Sequence, residues 1–260
     1  MLGMQLKEQL DELYPGVIDG EISHLPNECP ERCDAPIAMG NAVEPEVRIV
    51  SAPQQPMALL REAMRFSNRF EGTELSALLS DARPRELELL NYTFRIDNVS
   101  LAAVTHFTRH RMLSLMLRHE LSALAAGNYV LPETIAANPS ARSLYERAFA
   151  GQSEAAAKAR GLGAADVELD YFAMAGHTTT ILISMNAREL LHFSKLRSCS
   201  RAQWEIRGIA RTMIERLNET DAQPIFKSYG PTCAVTGRCP EGKMTCGHPV
   251  RIEDGVWKTL

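Results

Sequence analysis

The segment that most constrains the fold is a strand followed at once by a helix start. Residues Thr178–Ser184 are dense in β-branched side chains, which favours a strand. Asn186 is a preferred N-cap residue, and Glu189 stands three positions later, the spacing of a capping box. A strand-to-helix junction exposes unpaired backbone amides, so this junction is a natural place to bind an anion.

Further strands are predicted at Val47–Val50 and Tyr92–Ile96, which places the chain in the α+β class. The predicted helices are Met57–Arg69, a helix from the Ser100 cap that includes Arg109–Leu124, Asn138 to about Arg160, Ala164–Ala175, the helix after Asn186, and Ser200 to about Leu217. We expect a helix-rich single domain with a small antiparallel sheet. Its parts are an irregular N-terminal extension (1–46), the main domain (47–222) and a Cys/Gly-rich tail (223–260).

Composition excludes several classes of protein. The net charge of −4 over 260 residues argues against a large nucleic-acid-binding surface, which needs a basic excess. No apolar run reaches the roughly 18 residues that a membrane span needs. The N-terminus lacks the apolar core of a signal peptide, so we expect a cytoplasmic protein with no membrane or nucleic-acid partner.

Arg109, His110 and Arg111 are three consecutive residues that can carry positive charge. On a helix, successive side chains point about 100° apart, so they would reach different groups of an extended ligand, or a ligand shared between subunits. Arg111, Ser114 and Arg118 would then share a face. The alternative is an amphipathic helix whose basic face is merely solvated.

The helix after Asn186 carries a second polar constellation. Arg188 and His192 are four residues apart and share a helix face. The alternative is a capped surface helix with scattered charges.

Both constellations resemble the flavin-dependent thymidylate synthase family. The segment Asn186–Arg197, followed by Ser200–Arg207, is similar to that family's C-terminal helices, and Arg109–Ser114 resembles the start of its signature. The tail, with Gly230–Cys233 and Gly237–Gly247, resembles a clade with cysteine-rich C-termini. The resemblance covers roughly residues 47–247.

The resemblance implies a homotetramer with active sites at subunit interfaces. Such enzymes bind FAD, which NADPH reduces, and transfer a methylene group from methylenetetrahydrofolate to C5 of dUMP. The family's flavin-binding positions match Arg109, His110, Arg111, Asn186, Arg188 and Ser67. Its nucleotide-binding positions match Arg197 and Ser114. Arg118 and His119 are candidate replacements for family arginines that this chain lacks. No catalytic residue is assigned.

Departures from the family pattern concentrate on the nucleotide side. Leu121 stands where the signature has a nucleotide-binding arginine, and Asp170 stands where another arginine grips the phosphate. Glu88-Leu89 and His106 are further departures, at positions where Glu-His and Gln are usual. Three interpretations remain open. They are a thymidylate synthase with an altered nucleotide site, a flavoenzyme of the same fold that methylates another pyrimidine nucleotide, and a non-catalytic scaffold subunit.

The six cysteines are too few for a disulfide scaffold. Cys233, Cys239 and Cys246, with His248, could form a zinc site, but their spacings are not the usual short pairs. Cys29 and Cys33 could join a long-range metal or redox site. We predict no metal site.

Overall fold

A four-stranded antiparallel sheet stands at the centre of the described residues, which in this computed structural model are 37–68, 75–117, 124–253 and 256–259. Its strand order is β1-β2-β4-β3. The strands are β1 (Glu46–Ser51), β2 (Asn91–Ser100), β3 (Ser114–Leu117) and β4 (Thr178–Asn186). β2 and β4 alternate buried and partly exposed residues, as expected for a sheet with one face on the core.

Helices cover the core face and the ends of the sheet. The described helices are α1 (Pro56–Ser67), α2 (Leu75–Ser80), α3 (Leu101–Phe107), α4 (Glu133–Ala136), α5 (Pro139–Gly161), α6 (Asp166–Leu169), α7 (Ala187–Arg197), α8 (Trp204–Asn218), α9 (Gln223–Phe226) and α10 (Thr232–Thr236). Short 3₁₀ turns lie at Arg85–Leu89, Asp170–Phe172 and Gly242–Met244. Among the described residues, no helix is long and apolar enough to span a bilayer.

The core forms where α7 and α8 pack on the sheet. Its largest fully buried side chains include Tyr92, Phe94, Phe107, Phe193 and Phe226. Phe107 stacks on Phe193, with ring centroids 5.4 Å apart. This contact ties the end of α3 to the middle of α7, and so joins the two segments that carry the predicted site.

The C-terminal tail is anchored to the start of α7. The buried Tyr229 hydroxyl donates to the Ala187 carbonyl at 2.9 Å. A hairpin of β5 (Val250–Glu253) and β6 (Val256–Thr259) packs nearby, and Trp257 Nε1 donates to the Tyr229 carbonyl at 3.2 Å. A Cβ at Gly230 would lie 2.9 Å from the end of the Ile252 side chain, so a larger residue there would require the hairpin side chains to shift.

The structure confirms the α+β class with a small antiparallel sheet, and several predicted helix starts. Asn138 accepts from the amides of Ser140 and Ala141, both at 3.1 Å, and Ser100 accepts from the Ala103 amide at 3.0 Å. The prediction of a long helix through Arg109–Leu124 is wrong, because the helix ends at Phe107. Residues 114–117 instead form β3, which pairs with the open edge of β4. Edge pairing satisfies backbone groups of β4 that would otherwise lack a partner.

Two smaller predictions also need correction. The helix expected from Ser200 starts at Trp204, since the Gln203 side chain accepts from the Ile206 amide at 2.9 Å and caps it. The helix expected over Ala164–Ala175 is a single turn, Asp166–Leu169, followed by a 3₁₀ turn. Most of the predicted extension 1–46 lies outside the described residues, and the predicted domain boundaries stay predictions.

Candidate functional site

A cleft of about 460 Å³ opens along α7. One side of the helix lines it at the spacing i, i+3, i+4 and i+7, which places side chains on one face. The lining residues are Asp81, Ala82, Pro84, Glu88, Met112, Asn186, Arg188, Glu189, Leu191, His192 and Lys195. The cleft therefore includes Asn186, Arg188 and His192, which the sequence places at one helix start.

Asn186 starts α7 as predicted. Its side-chain oxygen accepts from the Glu189 amide at 2.9 Å, and the Ala187 amide donates to the Leu90 carbonyl at 2.8 Å. Two amides of the first turn are therefore satisfied within the protein. The capping box is not formed as expected, because the Glu189 carboxylate turns to His110 instead.

Arg188 is paired with a carboxylate on the opposite wall of the cleft. Its guanidinium donates a hydrogen bond to Glu88, and the two side chains are 40% and 33% exposed. The pair holds the guanidinium at the edge of the cleft, where it can still meet a ligand. Glu88 thus has a structural partner, while the departure from the family's Glu-His pair is confined to Leu89.

The charge of the lining is mixed. Arg188 and Lys195 are its arginine and lysine side chains, and Asp81, Glu88 and Glu189 are its carboxylates. Burial lowers the pKa of Lys195. A strongly anionic ligand in this cleft would therefore need further cations beyond those of the described lining.

His110 lies between Glu189 and Arg197. Its Nδ1 is 2.9 Å from Glu189 Oε1, and its Nε2 accepts from Arg197 Nε at 3.0 Å. The ring is only 5% exposed and contacts the Phe193 ring edge to face, with centroids 5.0 Å apart. Both ring nitrogens are engaged inside the protein.

A group of side chains that can carry positive charge, His106, Arg109 and Arg197, lies beside His110. Burial, followed by the charges of Arg197 and Arg109, lowers the pKa of His106. Burial and the charge of Arg109 likewise lower the pKa of Arg197. Mutual repulsion among these groups marks a place where an anion would be stabilising.

The other predicted site residues are dispersed in the described structure. Ser67 ends α1, and its hydroxyl donates to the Met64 carbonyl at 3.1 Å. Arg111 is exposed after the end of α3, and Ser114 is exposed on β3, so the predicted helix that would place these two residues on one face does not form. Arg118, His119 and Leu121 lie outside the described residues. Asp170 begins the 3₁₀ turn after α6 and is partly buried.

Sequence reasoning missed the acidic and lysine components of the cleft. Lys195 stands seven residues after Arg188, a spacing that could have placed it on the same helix face. Asp81 and Glu88 come from a segment about 100 residues earlier, and no local pattern connects them to α7.

Four cysteines line a second cavity of about 370 Å³, next to Lys195 and Arg197. They are Cys199, Cys233, Cys239 and Cys246, and all four are free thiols. Within the described ranges, no three cysteine, histidine or acidic groups are placed to hold a metal ion. Cys29 and Cys33 lie outside these ranges.

The sequence profile of the Thy1 family, described as thymidylate synthase complementing protein, matches residues 45–221, which is more than half of the chain. The chain belongs to this family. A flavin-dependent thymidylate synthase from Geobacter sulfurreducens is 35% identical over 182 residues, covering 69% of this chain and 78% of that protein. A second one, from Nitratidesulfovibrio vulgaris, is 27% identical and covers 80% and 97%.

Solved structures confirm the Thy1 fold at low sequence identity. The UMP/dUMP methylase PolB from Streptomyces cacaoi, bound with 5-Br dUMP, has a TM-score of 0.64 at 17% identity, covering 74% of this chain and 98% of that one. Thymidylate synthase X from Helicobacter pylori, with FAD and dUMP, has a TM-score of 0.53 at 20% identity, covering 70% and 97%. The resemblance to the flavin-dependent family, drawn from Asn186–Arg197 and Arg109–Ser114, is therefore confirmed.

Proposed function

We propose that this Thy1-family chain is an FAD-dependent thymidylate synthase that reductively methylates dUMP to dTMP, with methylenetetrahydrofolate and NADPH as co-substrates. The observation that carries the proposal is the cleft along α7, which brings Asn186 and Arg188 together at the start of the helix. The resemblance assigns both residues to flavin-binding positions, and both lie within the stretch that matches the Thy1 family.

The cleft supplies part of the donor set that the anionic diphosphate of FAD needs. Arg188 offers a planar guanidinium suited to bidentate contact with a diphosphate, and Lys195 adds a second cation on the same helix face. Asn186 spends its side-chain oxygen on the helix cap, so its amide nitrogen is the group that would donate to the cofactor. When bound, FAD supplies the hydride chemistry, and the protein supplies binding and orientation.

The residues around His110 suit the nucleotide. The Arg197 guanidinium is held through Nε, which leaves the geometry for its two terminal nitrogens to donate to a ligand, and Arg109 lies near enough to repel it. An anionic nucleotide between these side chains would relieve that repulsion. In this proposal Arg109 and Arg111 also bind flavin or nucleotide, and Ser67, Ser114, Arg118 and His119 remain candidate contacts.

A homotetramer completes the proposal. The described lining has three carboxylates against Arg188 and Lys195, so a diphosphate needs cations from elsewhere, and the exposed Arg109 and Arg111 can supply them from another subunit. Next to them, Met112 and Met116 are 74% and 68% exposed, the latter on edge strand β3. An exposed apolar strand edge favours association with a second copy.

The test is the reaction itself. Purified protein is supplied with FAD, NADPH, methylenetetrahydrofolate and dUMP tritiated at C5, and tritium release and dTMP formation are measured. We expect both to occur and to depend on flavin. If the protein binds FAD and dUMP but releases no tritium, the assignment as a thymidylate synthase is wrong. If it binds no flavin, the scaffold interpretation is favoured.

A second candidate is a flavoenzyme that methylates another pyrimidine nucleotide. Asp170 is the observation behind it: a carboxylate at the position where the resemblance puts the family's phosphate-gripping arginine would repel a phosphate held in the usual way, so the nucleotide must bind in a changed pose, and selection for dUMP no longer follows from the family pattern. The fold does not separate the candidates, since the PolB structure is described as a UMP/dUMP methylase. Parallel assays with UMP and dUMP, comparing kcat/KM, distinguish them.

A further inference from the structure

Glu189, His110 and Arg197 form a continuous chain of hydrogen bonds across the two ends of α7. Glu189 lies in the first turn of the helix and Arg197 is its last residue, while His110 follows α3. The two bonds are 2.9 Å and 3.0 Å long, and both His110 and Glu189 are buried. Neither bond follows from helix spacing, because the histidine comes from a segment about 80 residues earlier.

The two partners together allow one protonation state of the ring. An ionised carboxylate can only accept, so His110 Nδ1 must carry a proton and donate to Glu189. A guanidinium can only donate, so His110 Nε2 must present its lone pair to Arg197. The ring is therefore the neutral Nδ1–H tautomer, although its two cationic neighbours in sequence suggest a third positive charge.

Packing prevents the ring from adopting another orientation. Phe193 contacts it edge to face at 5.0 Å and His192 at 5.7 Å, and Phe193 is itself stacked on Phe107. The ring cannot turn over without disturbing the core. The lone pair on Nε2 therefore points in a constant direction. Because Arg197 Nε donates to this lone pair, the hydrogen bond fixes the orientation of the guanidinium plane.

We propose that Glu189 is a positioning residue, which acts through His110 to orient the Arg197 guanidinium toward the substrate nucleotide. The role of Arg197 toward the nucleotide rests on the function proposed above. With Nε engaged, the outer edge of the guanidinium presents its two terminal nitrogens as a fork of fixed direction, the geometry that suits bidentate recognition.

The test replaces Glu189 by glutamine. A glutamine can turn its amide group toward Nδ1, which permits the other tautomer, and an Nε2–H then removes the acceptor from Arg197. We expect the E189Q variant to bind dUMP about tenfold more weakly, the scale of one misplaced charge-assisted hydrogen bond. A double-mutant cycle decides the route, because E189Q should have no further effect in the R197A background.

Additive effects of the two substitutions would overturn the proposal, since they would mean that Glu189 acts independently of Arg197. The matched control is E88Q, the same carboxylate-to-amide change on the other wall of the cleft, where the partner is Arg188. It should leave the dUMP contribution of Arg197 intact.

A spectroscopic test does not depend on activity. With selective ¹⁵N labelling, His110 should show the Nδ1–H tautomer, and Arg197 Nε–H should be protected from solvent exchange in the wild type and in E88Q but not in E189Q. An Nε2–H tautomer or an unprotected Arg197 Nε–H in the wild type would overturn the positioning role. If these signals appear as expected while the wild type fails to bind dUMP, the proposed function fails and the positioning of Arg197 stands.

Discussion

The substitution R188A tests whether the start of α7 binds flavin. Arg188 donates a hydrogen bond to Glu88 within the cleft, and the two side chains are 40% and 33% exposed. The described lining contains one arginine, Arg188, and one lysine, Lys195. Removing the Arg188 guanidinium therefore deletes one of these two cations and leaves the Glu88 carboxylate without this partner. Both changes disfavour an anionic ligand.

The expected magnitudes differ sharply between binding and stability. Charge-assisted hydrogen bonds to a diphosphate are worth about 1.5–3 kcal/mol, which is about 10- to 150-fold in Kd. An ion pair as exposed as Arg188–Glu88 contributes at most about 1 kcal/mol to folding. In a chain of this size that corresponds to roughly 2–4 °C in Tm.

The assay compares flavin content after purification, flavin Kd by fluorescence titration, and Tm of the flavin-free protein. The matched control is R142A. Arg142 forms a comparable pair with Glu146 on α5, with side chains 52% and 40% exposed, and neither residue lines the cleft. We expect the control to lose the same small increment of stability and to keep its flavin affinity.

Two results would refute the reasoning. An R188A protein that binds flavin as tightly as the wild type would remove Arg188 from the cofactor site. A large loss of Tm in the flavin-free variant would mean that flavin is lost through unfolding rather than through a missing contact.

Three further outcomes are expected. Placing a charge on the exposed edge strand with M116K should shift the protein to smaller assemblies in size-exclusion chromatography with light scattering, whereas an unchanged mass would exclude β3 from the interface. Y229F should cost about 0.5–1.5 kcal/mol in chemical unfolding, because the buried Ala187 carbonyl loses the hydrogen bond from the Tyr229 hydroxyl, while Y171F at an exposed position should cost nothing measurable. Burial lowers the pKa of His177 below its ordinary 6.5, so wild-type stability should fall as pH drops from about 6.5 toward the lower folded-state pKa, and this slope should be smaller in H177N, where only His106 keeps a lowered histidine pKa among those described. Equal slopes in the two proteins would contradict that assignment.

Local patterns predicted the parts of this protein that depend on local physics. The β-branched run before Asn186 predicts β4, and the cap residues Ser100, Asn138 and Asn186 predict helix starts that the structure confirms. A cap is satisfied by amides two or three residues away, so its energy is readable from a short window. The family resemblance rests on such local segments and is confirmed as well.

Local patterns did not predict the strand β3 that follows Arg109. Leucine and methionine residues at 113–117 suit either an amphipathic helix or a strand, and the open edge of β4 decides for the strand. That edge is built from residues about 65 positions later, so no window around Arg109 contains the deciding partner.

By itself, the sequence determined the α+β class, the start of α7 at Asn186 and the family, because each depends on residue types at short, regular spacings. Only the tertiary structure decided that Glu88 faces Arg188 and that His110 lies between Glu189 and Arg197 with both ring nitrogens engaged. These pairings join residues roughly 80 to 100 positions apart, and the protonation state of a buried ring depends on which donors and acceptors the fold brings to it.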